Sequence, residues 1–215
     1  IEPDAADPGA ERKTVFYFPG CGSERLFSQV SKAAIYILLK SGARVVLPPS
    51  YLCCGFPVKA NAKEMQLGQI TLRDTIILSH IREMLQDVRF DAVVVSCGTC
   101  MEELGDIKIP ELFDCRLMDV SEYALTSGLD VKCSETRFYH APCHDSMGGK
   151  AVKLLEQQCG FTMKAISDCC SEAGTMALSR PDITSRMLDK KRAGMVKSLE
   201  SAGLSEGIIL TNCPS

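Results

Sequence analysis

Apolar and polar positions follow two different periods along this chain. Thr14 to Phe18 is a β-branched and aromatic run halted by Pro19-Gly20, which predicts a strand entering a turn. Across residues 24–40, Leu26, Val30, Ala33, Ala34, Ile37 and Leu38 recur at three-to-four spacing, the mark of an amphipathic helix that ends near Gly42. Ala43 to Leu47 returns to strand character before Pro48-Pro49. Residues 61–87 place Met65, Ile70, Ile77, Ile81 and Leu85 on one helical stripe. Ala92 to Val95 is a continuous apolar run, suited to burial on both faces of a parallel sheet. The second half continues in the same way. Phe138-Tyr139 sits in a strand, 149–158 in a helix, Phe161 to Ile166 in a strand, 182–201 in a helix and Ile208 to Leu210 in a strand. Strands alternating with helices predict an α/β architecture with parallel strands. Residues 1–12 hold Pro3, Pro8, Gly9 and several acids without any period, and read as a linker or frayed terminus.

An internal repeat lies over this pattern. Thr14-Val15-Phe16-Tyr17 is followed by three residues and Cys21, and Thr136-Arg137-Phe138-Tyr139 by three residues and Cys143. Each half then has an adjacent pair, Cys53-Cys54 or Cys169-Cys170, and 42 residues separate the second member from the next matched cysteine, Cys97 or Cys213. Both of those follow an apolar strand directly. Two matched halves are expected, residues 13–130 and 131–215, the second stopping one position short of the counterpart of Cys100.

Composition narrows the chemistry. Twelve cysteines in 215 residues are many, yet 46% hydrophobic and 24% charged residues suit a chain that buries an ordinary core, so a disulfide scaffold is not needed. The net charge of −3 leaves no basic footprint for nucleic acid. The longest apolar run, Ala33 to Leu39, is far short of the ~20 residues that span a bilayer. Reduced cysteines of a cytosolic protein then point to metal ligation or redox chemistry. Each lies just beyond a strand or in a loop between a strand and a helix, and loops at the carboxyl ends of parallel strands converge on one crevice. The first set is Cys21, Cys53, Cys54, Cys97 and Cys100; the second is Cys143, Cys169, Cys170 and Cys213. Thiolate groups of this size select iron–sulfur clusters, zinc or Cu(I). A structural zinc takes four ligands, fewer than the first set offers, which favours an iron–sulfur cluster and leaves a zinc-structured interaction domain as the alternative.

A lone cysteine, Cys-Cys-Gly and Cys-x-x-Cys, repeated twice, resembles the cysteine-rich CCG domain family, over residues 14–215. That family includes the cysteine-rich component of heterodisulfide reductase and the iron–sulfur subunits of glycolate oxidase and of lactate-utilisation systems. The resemblance implies paired Rossmann-like α/β repeats. It also implies a [4Fe–4S] cluster, non-cubane in some members, at Cys21, Cys53, Cys54, Cys97 and Cys100, with FAD in a separate domain or subunit. The implied parent enzyme is a flavin-linked oxidoreductase acting on a 2-hydroxy acid such as D-lactate or glycolate. Its implied partners are a flavin dehydrogenase domain and a ferredoxin-like region, in the cytoplasm or peripheral to the membrane's inner face. Cys169-Cys170-Ser171 followed by Gly174-Thr175 is similar to the carboxyl-terminal part of FAD-linked oxidase fusions. Under a heterodisulfide reductase-like alternative, Cys143 and His144 are the catalytic candidates. Ser171 departs from the family's glycine, so the second site differs from the first.

The remaining residues have plainer readings. Cys115, Cys133 and Cys159 fall outside the repeat and are expected to pack in the core or lie on the surface. His140 and His144 flank Cys143 and read as loop histidines, and His80 as a helix residue. The nine methionines read as core. Gly148-Gly149-Lys150 lacks the full phosphate-loop pattern and is expected to open a helix.

Overall fold

A computed structural model describes residues 12–129, 131–132, 134–166, 170 and 176–214. The expected linker up to residue 11 lies outside them, as do Cys133, Cys169 and Ser171. The chain divides into two compact units, one ending at Leu129 and the other running to Cys213.

In the first unit, β1 (Thr14–Phe18) leads through α1 (Ser28–Lys40) to β2 (Arg44–Val46). The chain passes α2 (Phe56–Lys59) and α3 (Glu64–Met84) before β3 (Ala92–Val95). It then continues through α4 (Gly98–Asp106), α5 (Ile109–Phe113), β4 (Arg116–Asp119) and α6 (Val120–Thr126). The sheet order is β2-β1-β3-β4, all parallel, with Val15 opposite both Val45 and Ala92. Every residue of β1 and β3 is buried. Alternation at period two sends Phe16, Phe18, Val93 and Val95 into one core with Leu78, Phe90, Leu104 and Phe113. Val15, Tyr17, Ala92 and Val94 enter the other, with Ala34, Leu38 and Val45. Phe16 and Phe113 lie 4.6 Å apart by ring centroid, and Phe90 and Phe113 5.3 Å.

Several elements differ from the periodic reading. The first helix starts at Ser28 because Gly22–Leu26 forms a single π turn ahead of it. Four elements between residues 98 and 126 fall where no period was visible. Met65 and Met84 are exposed at the two ends of α3, so the core reading of methionine fails there, although Met118 and Met147 are buried.

In the second unit, β5 (Thr136–His140) is followed by α7 (Ala151–Leu154), a π turn at Leu155–Cys159 and β6 (Thr162–Ile166). Then come α8 (Met176–Ser179), α9 (Pro181–Ser201) and β7 (Ile209–Leu210). The order β6-β5-β7 is parallel and has the form of β2-β1-β3. Gly148 and Gly149 hold positive φ just before α7, a turn and not a phosphate cradle.

Candidate functional site: five thiols at the carboxyl edge of the first sheet

The three strands β2, β1 and β3 are neighbours, and each delivers cysteines at its carboxyl end. After β1, Pro19-Gly20 turns the chain and presents Cys21. Gly20 has φ +73°, and a Cβ added there would lie 2.7 Å from Cys100 Sγ, so the turn needs a residue without a side chain on both counts. After β3, Ser96 leads to Cys97, which holds extended backbone at the start of α4, and Cys100 sits in that helix's first turn, 3% exposed. After β2, the loop carries half-buried Cys53 and buried Cys54. Gly55 closes it at φ +89°, and a Cβ there would stand 2.6 Å from Leu67 Cδ1.

Polar contacts clamp these loops from behind. The Tyr17 hydroxyl lies 3.0 Å from Ser96 Oγ, which lies 3.4 Å from Ser23 Oγ, so the Cys21 and Cys97 loops share one buried hydroxyl chain. Ser31 donates to the Ser23 carbonyl at 2.6 Å. The Cys53 N–H donates to buried Asp74 Oδ2 at 2.8 Å. Lys59 of α2 donates to Glu103 of α4 at 2.7 Å, joining the helix that follows the Cys-Cys pair to the helix that carries Cys100.

All five thiols form one chain of contacts. Cys21 Sγ and Cys53 Sγ are 3.5 Å apart, and the Gly55 N–H donates to Cys53 Sγ at 3.5 Å. Cys53 also meets Cys54, Cys54 meets Cys100, and Cys100 meets Cys97. Cys97 Sγ lies 3.1 Å from Thr99 Oγ1. The contact with Cys21, joined by Cys54, the Gly55 N–H and the Arg73 charge, pulls the Cys53 thiol well down and pushes Cys21 up. Cys100, aided by Thr99, brings Cys97 down to about 5. Cys54 is pulled down by Cys100 but pushed up by Cys53 and by burial, ending at about 12. Its contacts with Cys54 and Cys97, together with burial, hold Cys100 well above the usual thiol range. The contacts thus favour thiolate character at Cys53 and Cys97 over Cys21, Cys54 and Cys100.

The donor set is all sulfur and has five members, so it exceeds one tetrahedral zinc and suits a multi-iron cluster attached at several points. Among the described residues, no three Cys, His, Asp or Glu side chains surround a position for a single ion. Cys115, outside this group, packs against the core, and burial lifts its thiol to about 11.

In the second unit, Cys143 stands exposed after β5, while Cys170 and Cys213 are half-buried after β6 and β7. Central β5 thus delivers Cys143 as central β1 delivers Cys21. The Tyr139 hydroxyl donates to Asn212 Oδ1 at 2.7 Å. Asn212 precedes Cys213 as Ser96 precedes Cys97, so the same latch occurs with a different partner. Asn212 Nδ2 donates in turn to Asp145 and Ser146, both at 2.9 Å. Despite burial, N–H donors from Gly149, Asn212 and Met147 hold the Asp145 carboxyl below the usual range. His140 is buried with Nδ1 2.9 Å from Nζ of Lys191, itself 5% exposed on α9. Burial, and then the Lys191 charge, keep His140 below the ordinary imidazole range.

The five first-unit thiols singled out by their spacing meet in the structure, whereas Asp74, Glu103, Lys191 and the two tyrosine latches are not legible as site neighbours from the sequence. Only the paired tyrosines carried a signal, because Tyr17 and Tyr139 occupy the same place in the repeat.

Residues 15–105 match the CCG cysteine-rich domain family. The chain is 27% identical over 213 residues to an uncharacterised iron–sulfur protein of Methanococcus maripaludis, covering 95% of this chain and 40% of that protein. It is 24% identical over 208 residues to lactate utilization protein A of an Exiguobacterium, covering 86% and 81%. To the glycolate oxidase iron–sulfur subunit of Escherichia coli it is 25% identical over 229 residues, covering 95% and 53%.

Proposed function

We propose that this chain, whose residues 15–105 form a CCG cysteine-rich domain, is the iron–sulfur electron-transfer module of a flavin-linked oxidoreductase. The observation that carries the reading is the contact chain of Cys21, Cys53, Cys54, Cys97 and Cys100, gathered from three adjacent strand ends. Relatives named as iron–sulfur subunits of glycolate oxidase and as lactate utilization proteins support the same reading. They suggest a small 2-hydroxy acid as the parent enzyme's substrate class.

The five cysteines would hold the cluster, a [4Fe–4S] type, which supplies reversible one-electron storage when bound. The chain does the rest. Cys54 and Cys100 form a buried inner wall that limits water. The Gly55 N–H and the donors near Cys97 stabilise negative sulfur. The Tyr17–Ser96–Ser23 hydroxyls hold two ligand loops in register. Cys143, Cys170 and Cys213, with Cys169, would form a second site in a second repeat over 131–215. Hydride chemistry would belong to a flavin domain or subunit, with a ferredoxin-like region as a further partner. The family resemblance suggests the cytoplasm or the membrane's inner face for the assembly. Among the described residues no helix is long and apolar enough to cross a membrane.

Anaerobic reconstitution with iron and sulfide is expected to give visible charge-transfer absorption and an EPR signal on reduction. Cys54→Ser and Cys97→Ser are each expected to abolish the first-unit signal. Tightly bound zinc without redox-active iron would overturn the reading in favour of a zinc-structured domain.

A further inference from the structure

Two adjacent residues of α3, Arg73 and Asp74, hold the backbone of the Cys-Cys loop at two points. Asp74 is 3% exposed and accepts the Cys53 N–H at 2.8 Å. Its other oxygen accepts from Arg73 Nε at 2.7 Å, and Arg73 Nη2 reaches the Tyr51 carbonyl at 3.4 Å. The loop is thus held by a carboxylate at Cys53 and a guanidinium at Tyr51, and the two holding groups are paired to each other. Tyr51 stands at φ +75°, unusual for a residue with a side chain, so the loop's shape is imposed and not intrinsic.

A buried carboxylate is costly, and the Cys53 N–H and Arg73 offset part of that cost. A loop fastened by apolar packing would avoid the cost altogether. What the ion pair adds is charge of both signs beside the sulfur that joins Cys21 to Cys54. Arg73 is half exposed while Asp74 is buried; charges near a redox site shift its affinity for an electron, a cation raising it and an anion lowering it.

We propose that Arg73 and Asp74 are positioning residues that set the reduction potential of the first site by opposed charges, besides fixing the Cys-Cys loop. This rests on the iron–sulfur reading. Removing Arg73 would leave the Asp74 carboxylate uncompensated at Cys53 and lower the potential. Neutralising Asp74 would leave the guanidinium and raise it.

The test is a redox titration, followed by EPR, of the reconstituted chain and its Arg73→Gln, Arg73→Lys, Asp74→Asn and doubly substituted Arg73→Gln/Asp74→Asn variants. Asparagine keeps an acceptor for the Cys53 N–H, so Asp74→Asn retains the loop contact. Arg73→Gln is expected to weaken electron binding about tenfold, ~59 mV for one electron. Asp74→Asn should strengthen it by a similar factor, Arg73→Lys should stay near the parent, and the double variant should return toward it. Equal iron content with unmoved potentials, or shifts of one sign in both single variants, would overturn the charge role alone. If Asp74→Asn fails to fold, the Arg73→Gln and Arg73→Lys pair decides, because a merely structural guanidinium would not be rescued in potential by lysine. A parent chain that holds no redox-active iron would overturn the underlying reading instead.

Discussion

Gly20 shows how one residue can answer two separate demands. Its φ of +73° disfavours any side chain, and its Cα faces Cys100 Sγ too closely for a Cβ. Gly42 has the first demand without the second: φ is +81° and nothing lies within 4 Å of an added Cβ. Comparing alanine at the two positions therefore separates strain from crowding. Gly42→Ala should lose only the left-handed backbone cost of about 1–2 kcal/mol. Gly20→Ala should lose that and a further ~1–3 kcal/mol for over-packing against the sulfur. Urea unfolding of both variants checks this, and equal losses would mean that the Cys100 contact carries no cost. At the same scale, the thiols were legible because their spacings recur in the two halves. Asp74 and Glu103 were not. They look like ordinary helix-surface acids, and only the folded path brings one to the Cys53 N–H and the other to Lys59.

At the scale of elements, legibility followed burial on both faces. Strands β1 and β3 were readable because a fully buried strand must be apolar throughout. Strand β4 is an edge strand with Arg116 exposed at its start and Asp119 capping the next helix through Ser121, so its residues carry no run or alternation. Helix α5 begins after Lys108 in the left-handed region, a geometry that residue type does not announce. Helix α9 was readable in extent but not in the fate of Lys191, which sits in the run Lys190-Lys191-Arg192 like any solvated base. Its contact with His140 pins α9 to the end of β5, and it has a pH signature. Because His140 binds its proton less readily in the folded chain than in the unfolded one, the unfolded chain is protonated first as pH falls. Stability from this group is therefore present above the unfolded imidazole range and is lost as the pH drops toward the folded value. The melting temperature should decline as the pH falls through the ordinary imidazole range, and His140→Gln should flatten that decline. An unchanged slope in the variant would remove His140 from the account.

For the molecule as a whole, parallel α/β architecture was readable from alternation. The strand order β2-β1-β3 recurs as β6-β5-β7, and in each unit a tyrosine of the central strand secures the residue before a cysteine. The chain spans 40% of the Methanococcus protein it matches, so the substrate and partners of a larger assembly belong to the proposal and not to these two units.

The five sulfurs differ in depth. Cys54 and Cys100 are buried, while Cys21, Cys53 and Cys97 are half-buried, so adjacent residues 53 and 54 lie on opposite sides of that boundary. Damage is therefore ordered. A limiting dose of iodoacetamide on the metal-free chain should modify Cys53 and Cys97 first, because they combine access with thiolate character, and Cys54 and Cys100 last. Peptide mass spectrometry would read the sequence of events, and early labelling of Cys100 would contradict it. An oxidant arriving from solvent would meet the same order, so the chain would fail from the front of the site while its inner sulfurs remain intact for repair.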